Sequence, residues 1–271
     1  MSVEELENRW ALPDWHSGLL WCKARNSQGI KTVLDILGED TSSKDDGYKS
    51  TEAYLDLLDS IATERLYASI SVKVSALGYT HNKEICLENL LRIAKDAAAR
   101  KVGFDVDMEG RSLVDFTLSC AESCREKAFP VTIALQAYLD RTPKDLERML
   151  EKRARIRLVK GAYSGDATDF QDIQGRFKSL ARVLLDSGRP FCIGTHDPEL
   201  IVWSTVKFAD VSDRVEFGML KGLSDRTKLD FVKNKWTVSE YVPFGMNRAA
   251  YEDRRRIYLR HLEELGRAPA P

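Results

Sequence analysis

Histidine is scarce in this chain: four residues, His16, His81, His196 and His261, are scattered over 271 positions. No HxH, HExxH or histidine–carboxylate cluster joins them, which argues against a resident metal. Five cysteines form an odd set without zinc-type spacing. Cys120 and Cys124, four apart on an expected helix, read as buried thiols rather than as part of a disulfide framework. A GxSxG elbow is missing, so a Ser-His-Asp hydrolase is weakly supported. GxGxxG is missing too, which counts against an open dinucleotide-binding sheet. Charge of neither sign dominates. With 41 basic residues against 42 acidic ones and a net charge of −1, nothing favours nucleic acid or an anionic membrane, and any anion recognition must be local. No apolar run approaches the ~20 residues that span a bilayer, and the acidic opening MSVEELENRW does not resemble a signal peptide. The expectation is a soluble, cytoplasmic protein of a reducing compartment, with the inner face of the membrane as a peripheral alternative.

What is present is an alternation of strand and helix patterns. After a lead-in over 1–28 carrying Trp10, Trp15 and Trp21 on a helical spacing, strands are expected at Thr32–Leu37, Ala68–Leu77, Val102–Asp107, Pro130–Gln136, Arg155–Val159, Pro190–Thr195, Arg214–Phe217 and Trp236–Val242. A helical pattern follows each, the last over about Arg248–Leu265. Eight such units without a linker or repeat predict a single-domain (β/α)8 barrel over 1–271, a fold that ordinarily takes about 250 residues.

In such a barrel function sits at the C-terminal strand ends. Those ends carry Lys73, Asp107, Gln136, Arg157 with Lys160, Thr195 with His196, the Met219–Leu220 segment and Tyr241. Each has an ordinary explanation alone: a snorkelling lysine, a capping aspartate, a histidine opening a helix. Together they describe a functional mouth. On the final helix, Tyr251, Arg254 and Arg255 share a face, and an arginine pair beside an aromatic suits bidentate capture of a carboxylate. Glu252 and Asp253 leave open a plain solvated surface.

Taken in order, SVKVSALG at 71–78, DMEG at 107–110, QAY at 136–138, RLVKGAY at 157–163, GTH at 194–196, EFGMLKG at 216–222 and YVPFG followed by YxxRR at 241–255 make the chain resemble the proline dehydrogenase family from about Thr32 to Leu265. The resemblance implies non-covalent FAD across the barrel mouth, touched by Asp107, Gln136, Arg157, Val159, Lys160, Gly161, Ala162, Thr195 and His196. It implies a substrate carboxylate held by Lys73, Arg254 and Arg255, and a ring walled by Tyr163, Leu220, Tyr241 and Tyr251. Lys73, Asp107, Tyr241, Arg254 and Arg255 form the catalytic set, and the helix over 245–265 closes the mouth. L-Proline would pass hydride to the flavin and leave as Δ1-pyrroline-5-carboxylate, the first step of proline catabolism. Tyr241 stands where relatives specialised for hydroxyproline carry a small residue, which implies a preference for proline.

The chain departs from the family at Ser164, at Tyr258, where bifunctional members carry an acid, and over Gly165–Lys178, which lacks an FTRK-like stretch. Its length leaves no room for an appended aldehyde dehydrogenase domain, so a stand-alone enzyme is expected, with a quinone as electron acceptor. Two rival classes stay open: a flavin dehydrogenase of another cyclic or N-alkyl amino acid, and a barrel without catalysis that serves as a binding subunit.

Overall fold

A computed structural model describes residues 8–38, 43–162, 165–246 and 248–264. Among the described residues, one helix, α1 (Trp15–Ser27), precedes the repeating units. The strands are β1 (Lys31–Ile36), β2 (Ala68–Val72), β3 (Gly103–Val106), β4 (Thr132–Gln136), β5 (Arg155–Val159), β6 (Phe191–Gly194), β7 (Val215–Leu220) and β8 (Thr237–Phe244). The intervening helices are α2 (Lys44–Thr63), α3 (Lys83–Arg100), α4 (Val114–Glu126), α5 (Thr142–Glu151), α6 (Phe170–Asp186), α7 (Pro198–Lys207) and α8 (Asp225–Lys233), and α9 (Ala249–Glu264) comes last. The strands pair in parallel in chain order and β8 returns to β1, with Val33 opposite Tyr241, so the barrel is closed.

The sequence explains the layers. Strands buried on both faces need near-continuous apolar runs, and every residue of β2 and β4 is buried. The helices are instead one-sided. In α3, Cys86, Leu90, Ile93, Ala94 and Ala97 face inward, and each fully buried aliphatic side chain contributes about 1.5–3 kcal/mol. Starts are marked by caps: Asn82 accepts from Glu84 N and Ile85 N at the head of α3, and Asp197 does the same for α7 just before Pro198. All five cysteines are buried free thiols.

Several boundaries differ from the sequence expectation. Among the described residues of the lead-in, helix begins only at Trp15; Trp10 lies in a non-helical stretch of bends whose Leu12 bridges to Phe244, and residues 1–7 lie outside the described residues. β2 stops at Val72, and Val74–Leu77 turn into a 3₁₀ helix closed by left-handed Gly78. Lys73 therefore stands just past the strand. β7 runs on to Leu220 and β8 to Phe244, so Tyr241 is inside its strand rather than at its end. No helix among the described residues is long and apolar enough to cross a membrane.

Candidate active site

A cavity of about 810 Å³ opens at the C-terminal strand ends. It is lined by Lys73, Asp107, Gln136, Arg157, Val159, Lys160, Gly161, Ala162, Thr195, His196, Leu220, Tyr241, Tyr251, Arg254 and Arg255. Every residue singled out from the sequence is thus brought to one mouth except Tyr163, which lies outside the described residues. The volume falls within the range of small-molecule and cofactor sites, roughly 300–1,000 Å³.

The cations that the sequence advertised are not loose charges. Lys73 Nζ lies 2.6 Å from Asp35 Oδ2 and 3.5 Å from Asp107 Oδ2, and donates to Tyr241 Oη at 3.2 Å. Burial opposes its charge, but Asp35 and Asp107 outweigh burial and raise Lys73 well above the ordinary lysine range. Tyr241 donates its phenol hydrogen to Asp107 Oδ2, and Ser71 Oγ donates to Asp107 Oδ1 at 2.7 Å. Burial, then the Asp107 charge, keeps that phenol protonated far above its usual range. Arg157 pairs with Asp105 and reaches Asp107 Oδ1 at 3.5 Å. Lys160 Nζ meets Asp197 at 3.3 Å and stands 4.1 Å from the centre of the Phe170 ring. Buried charges survive only when paired in this way.

His196 links two strand ends. Its Nε2 accepts the amide of Leu220 at 2.7 Å, which leaves Nδ1 to donate to Ser224 Oγ at 3.2 Å. Burial, aided by the positive charges of Lys228, Arg255 and Lys160, lowers its pKa to about 3. It is a neutral clamp on Leu220 rather than an acid or base. Gln136 Nε2 donates to the carbonyls of Met108 and Glu109 at 3.4 and 3.3 Å, holding the loop after β3. Gly161 adopts φ +136°, and a Cβ there would lie 1.6 Å from the Tyr138 ring. The glycine of KGAY is required by the aromatic of QAY.

Over the mouth lies α9. The Arg255 guanidinium sits 5.3 Å from the Tyr251 ring centre and 5.8 Å from that of Tyr258. Arg255 Nε and Tyr251 Oη are buried without a hydrogen-bond partner. An unmet buried donor costs about 1–3 kcal/mol, so this face of the cavity is built to receive an acceptor. Sequence reading missed Asp35, Asp105 and Asp197, the counter-charges beneath the mouth, and Tyr258 as a lining residue. The signal available for Asp35 and Asp105 was a lone acid inside an otherwise apolar strand.

Residues 21–264 match the sequence profile of the family described as Proline dehydrogenase. The chain belongs to the proline dehydrogenase family. It is 30% identical over 258 residues to Proline dehydrogenase 2 of Bacillus subtilis (strain 168), covering 93% of this chain and 83% of that protein. It is 28% identical over 246 residues to Proline dehydrogenase of Deinococcus radiodurans, covering 86% and 79%. Among solved structures it resembles proline utilization A from Bdellovibrio bacteriovorus inactivated by N-propargylglycine, with a TM-score of 0.83 at 21% identity. That likeness covers 91% of this chain and 32% of the other, and supports the fold alone. The barrel expected from the alternation is therefore the proline dehydrogenase barrel.

Proposed function

We propose that the chain oxidises L-proline to Δ1-pyrroline-5-carboxylate with non-covalent FAD in the barrel mouth. The observation that carries this reading is the half-buried Arg255 guanidinium, held between Tyr251 and Tyr258 beside Arg254, its buried Nε without a hydrogen-bond partner. Such a fork is suited to a carboxylate. The same cavity is lined by the Lys73–Asp107–Tyr241 cluster and Leu220, which offer a charge and two side chains able to wall a small ring.

The donor set also fits a flavin dinucleotide. Arg157, Lys160 and Thr195 supply cationic and hydroxyl donors, and Gln136, Val159, Gly161, Ala162 and His196 line the same wall. Gly110 has open space where a Cβ would stand. When bound, FAD supplies the hydride acceptor, and a cation beside it stabilises the negative charge of the reduced ring. The chain's own residues bind and orient. Arg254, Arg255 and Lys73 fix the carboxylate, and Tyr241, Tyr251 and Leu220 wall the ring and displace water. Proline loses a hydride from the ring carbon beside nitrogen and a proton from nitrogen as the C=N bond forms. Lys73, held charged by two carboxylates, does not take that proton, so the amine must enter neutral or release its proton to solvent.

A quinone is the proposed final acceptor, and the proposed setting is the cytoplasm with transient visits to the membrane surface. The test is turnover of the purified protein with L-proline and an electron-accepting dye. Dye reduction should saturate with proline and fail with D-proline; an inert protein that retains flavin overturns the substrate assignment. Arg157→Met should weaken flavin retention or make reduction less favourable.

A further inference from the structure

The stretch before α1, part of the lead-in read from the sequence as helical, lies outside the 21–264 segment that matches the family. It is nevertheless tied down at both ends. The Leu12 amide donates to the Pro243 carbonyl at 2.9 Å, and the Leu12 carbonyl accepts from Gly245 N at 3.0 Å, so it docks on the end of β8. Arg9 Nε donates to the Gly222 carbonyl at 3.0 Å, just past Leu220. Lys221 Nζ donates to the carbonyls of Asn8 and Arg9. Arg248, immediately before α9, donates to Asn8 Oδ1 at 2.8 Å. Gly222 adopts φ +77°, and a Cβ there would lie 2.2 Å from the Arg9 carbonyl oxygen. The strap runs where only glycine lets it run.

Between these anchors Ala11, with no exposed surface, joins Leu37 and Tyr251 in an apolar cluster of its own, flanked by Trp10 and Tyr241. Tyr251 is the one buried side chain of α9 among its described residues. Its hydroxyl has no partner, so the ring is placed by this cluster and by the Arg255 guanidinium against its face, not by a hydrogen bond. We propose that Asn8–Leu12 is a positioning strap for the substrate site, seating Tyr251 and with it the Arg254–Arg255 turn over the mouth. This rests on the reading of proline as substrate.

The test uses the full-length, flavin-loaded protein and tetrahydrofuroic acid, which keeps the carboxylate and lacks the oxidisable amine. A larger side chain in the fully buried Ala11 position must displace Tyr251. Ala11→Leu should weaken binding of the acid about tenfold, equivalent to about 1.4 kcal/mol. The KM for proline should rise in parallel while kcat changes less and flavin content stays that of wild type. Arg9→Met, a milder change that loosens one anchor, should shift both constants the same way about threefold, and it keeps the question answerable should Ala11→Leu fold poorly. In a Tyr251→Ala background the Ala11→Leu effect should vanish, because the ring it displaces is gone; a merely structural loss would add in full. Variants that bind the acid like wild type, or effects that add, overturn the strap alone. Wild-type protein that binds neither the acid nor proline overturns the proline reading and the strap with it.

Discussion

Lys73→Met isolates the electrostatics on which the site is built. Asp35 is wholly buried; its one cationic contact among the described residues is Lys73 Nζ at 2.6 Å, with the Tyr54 hydroxyl at 3.5 Å and the Tyr241 hydroxyl as neutral neighbours. Asp107, the other carboxylate beside Lys73, keeps Ser71, Tyr241 and Arg157 when the ammonium is removed. The loss therefore falls on Asp35, left as an uncompensated buried charge. Breaking a buried pair from one side costs about 3–5 kcal/mol. At about 2–4 °C per kcal/mol for a domain near this size, the melting temperature should fall by roughly 6–20 °C. Removing both charges together, as in Asp35→Asn with Lys73→Met, should return most of that loss, since the double variant strands no charge. The assay is thermal unfolding of the four proteins at fixed flavin loading. A single variant that melts with wild type, or a double variant less stable than both singles, refutes the pairing logic.

Other outcomes follow from the same geometry. Truncating Arg254 or Arg255 to Ala should raise the KM for proline strongly, because a charge-assisted bond is worth about 1.5–3 kcal/mol; unchanged tetrahydrofuroic acid inhibition in the double variant returns the pair to solvated surface. The Tyr241 phenol, fixed by Asp107 and Lys73, should make 4-hydroxyproline a poorer substrate than proline by about 1–3 kcal/mol, and Tyr241→Ser should narrow or reverse the ratio of the two kcat/KM values. His196 has a folded pKa of about 3 against 6.5, so the stability it contributes is complete above pH 6.5 and is lost as pH falls toward 3. That amounts to a few kcal/mol at most, and His196→Gln should flatten this acid limb in pH-dependent melts. With Lys73 held charged, His196 neutral and Tyr241 protonated, the rise of kcat/KM from pH 6 to 9 should follow the substrate amine; a Lys73→Met variant with a displaced profile would contradict this.

The alternation of apolar strands and one-sided helices made the barrel legible, and polar residues at strand ends marked the mouth. The extent of β2 was not legible, because VKVSAL alternates like a strand while Gly78 and the 3₁₀ turn end it after Val72. Local pattern also made the mouth look simply cationic. Its neutralisation depends on contacts such as Lys73 with Asp35, Arg157 with Asp105 and Lys160 with Asp197, which join residues 37 to 52 positions apart and exist only once the barrel closes. The Asn8–Leu12 stretch was hidden for the same reason: tryptophans on a helical spacing suggested a helix, but Trp10 lies in a non-helical strap whose Asn8 and Arg9 are held by partners more than two hundred residues away.

The central claim is that this mouth holds a flavin that takes hydride from proline. An anaerobic visible spectrum of the purified protein, recorded before and after L-proline, tests it most directly. The expected result is an oxidised flavin band that proline bleaches and D-proline leaves intact. A flavin band that L-proline does not bleach, or a colourless protein that gains no band when supplied with FAD, contradicts the account.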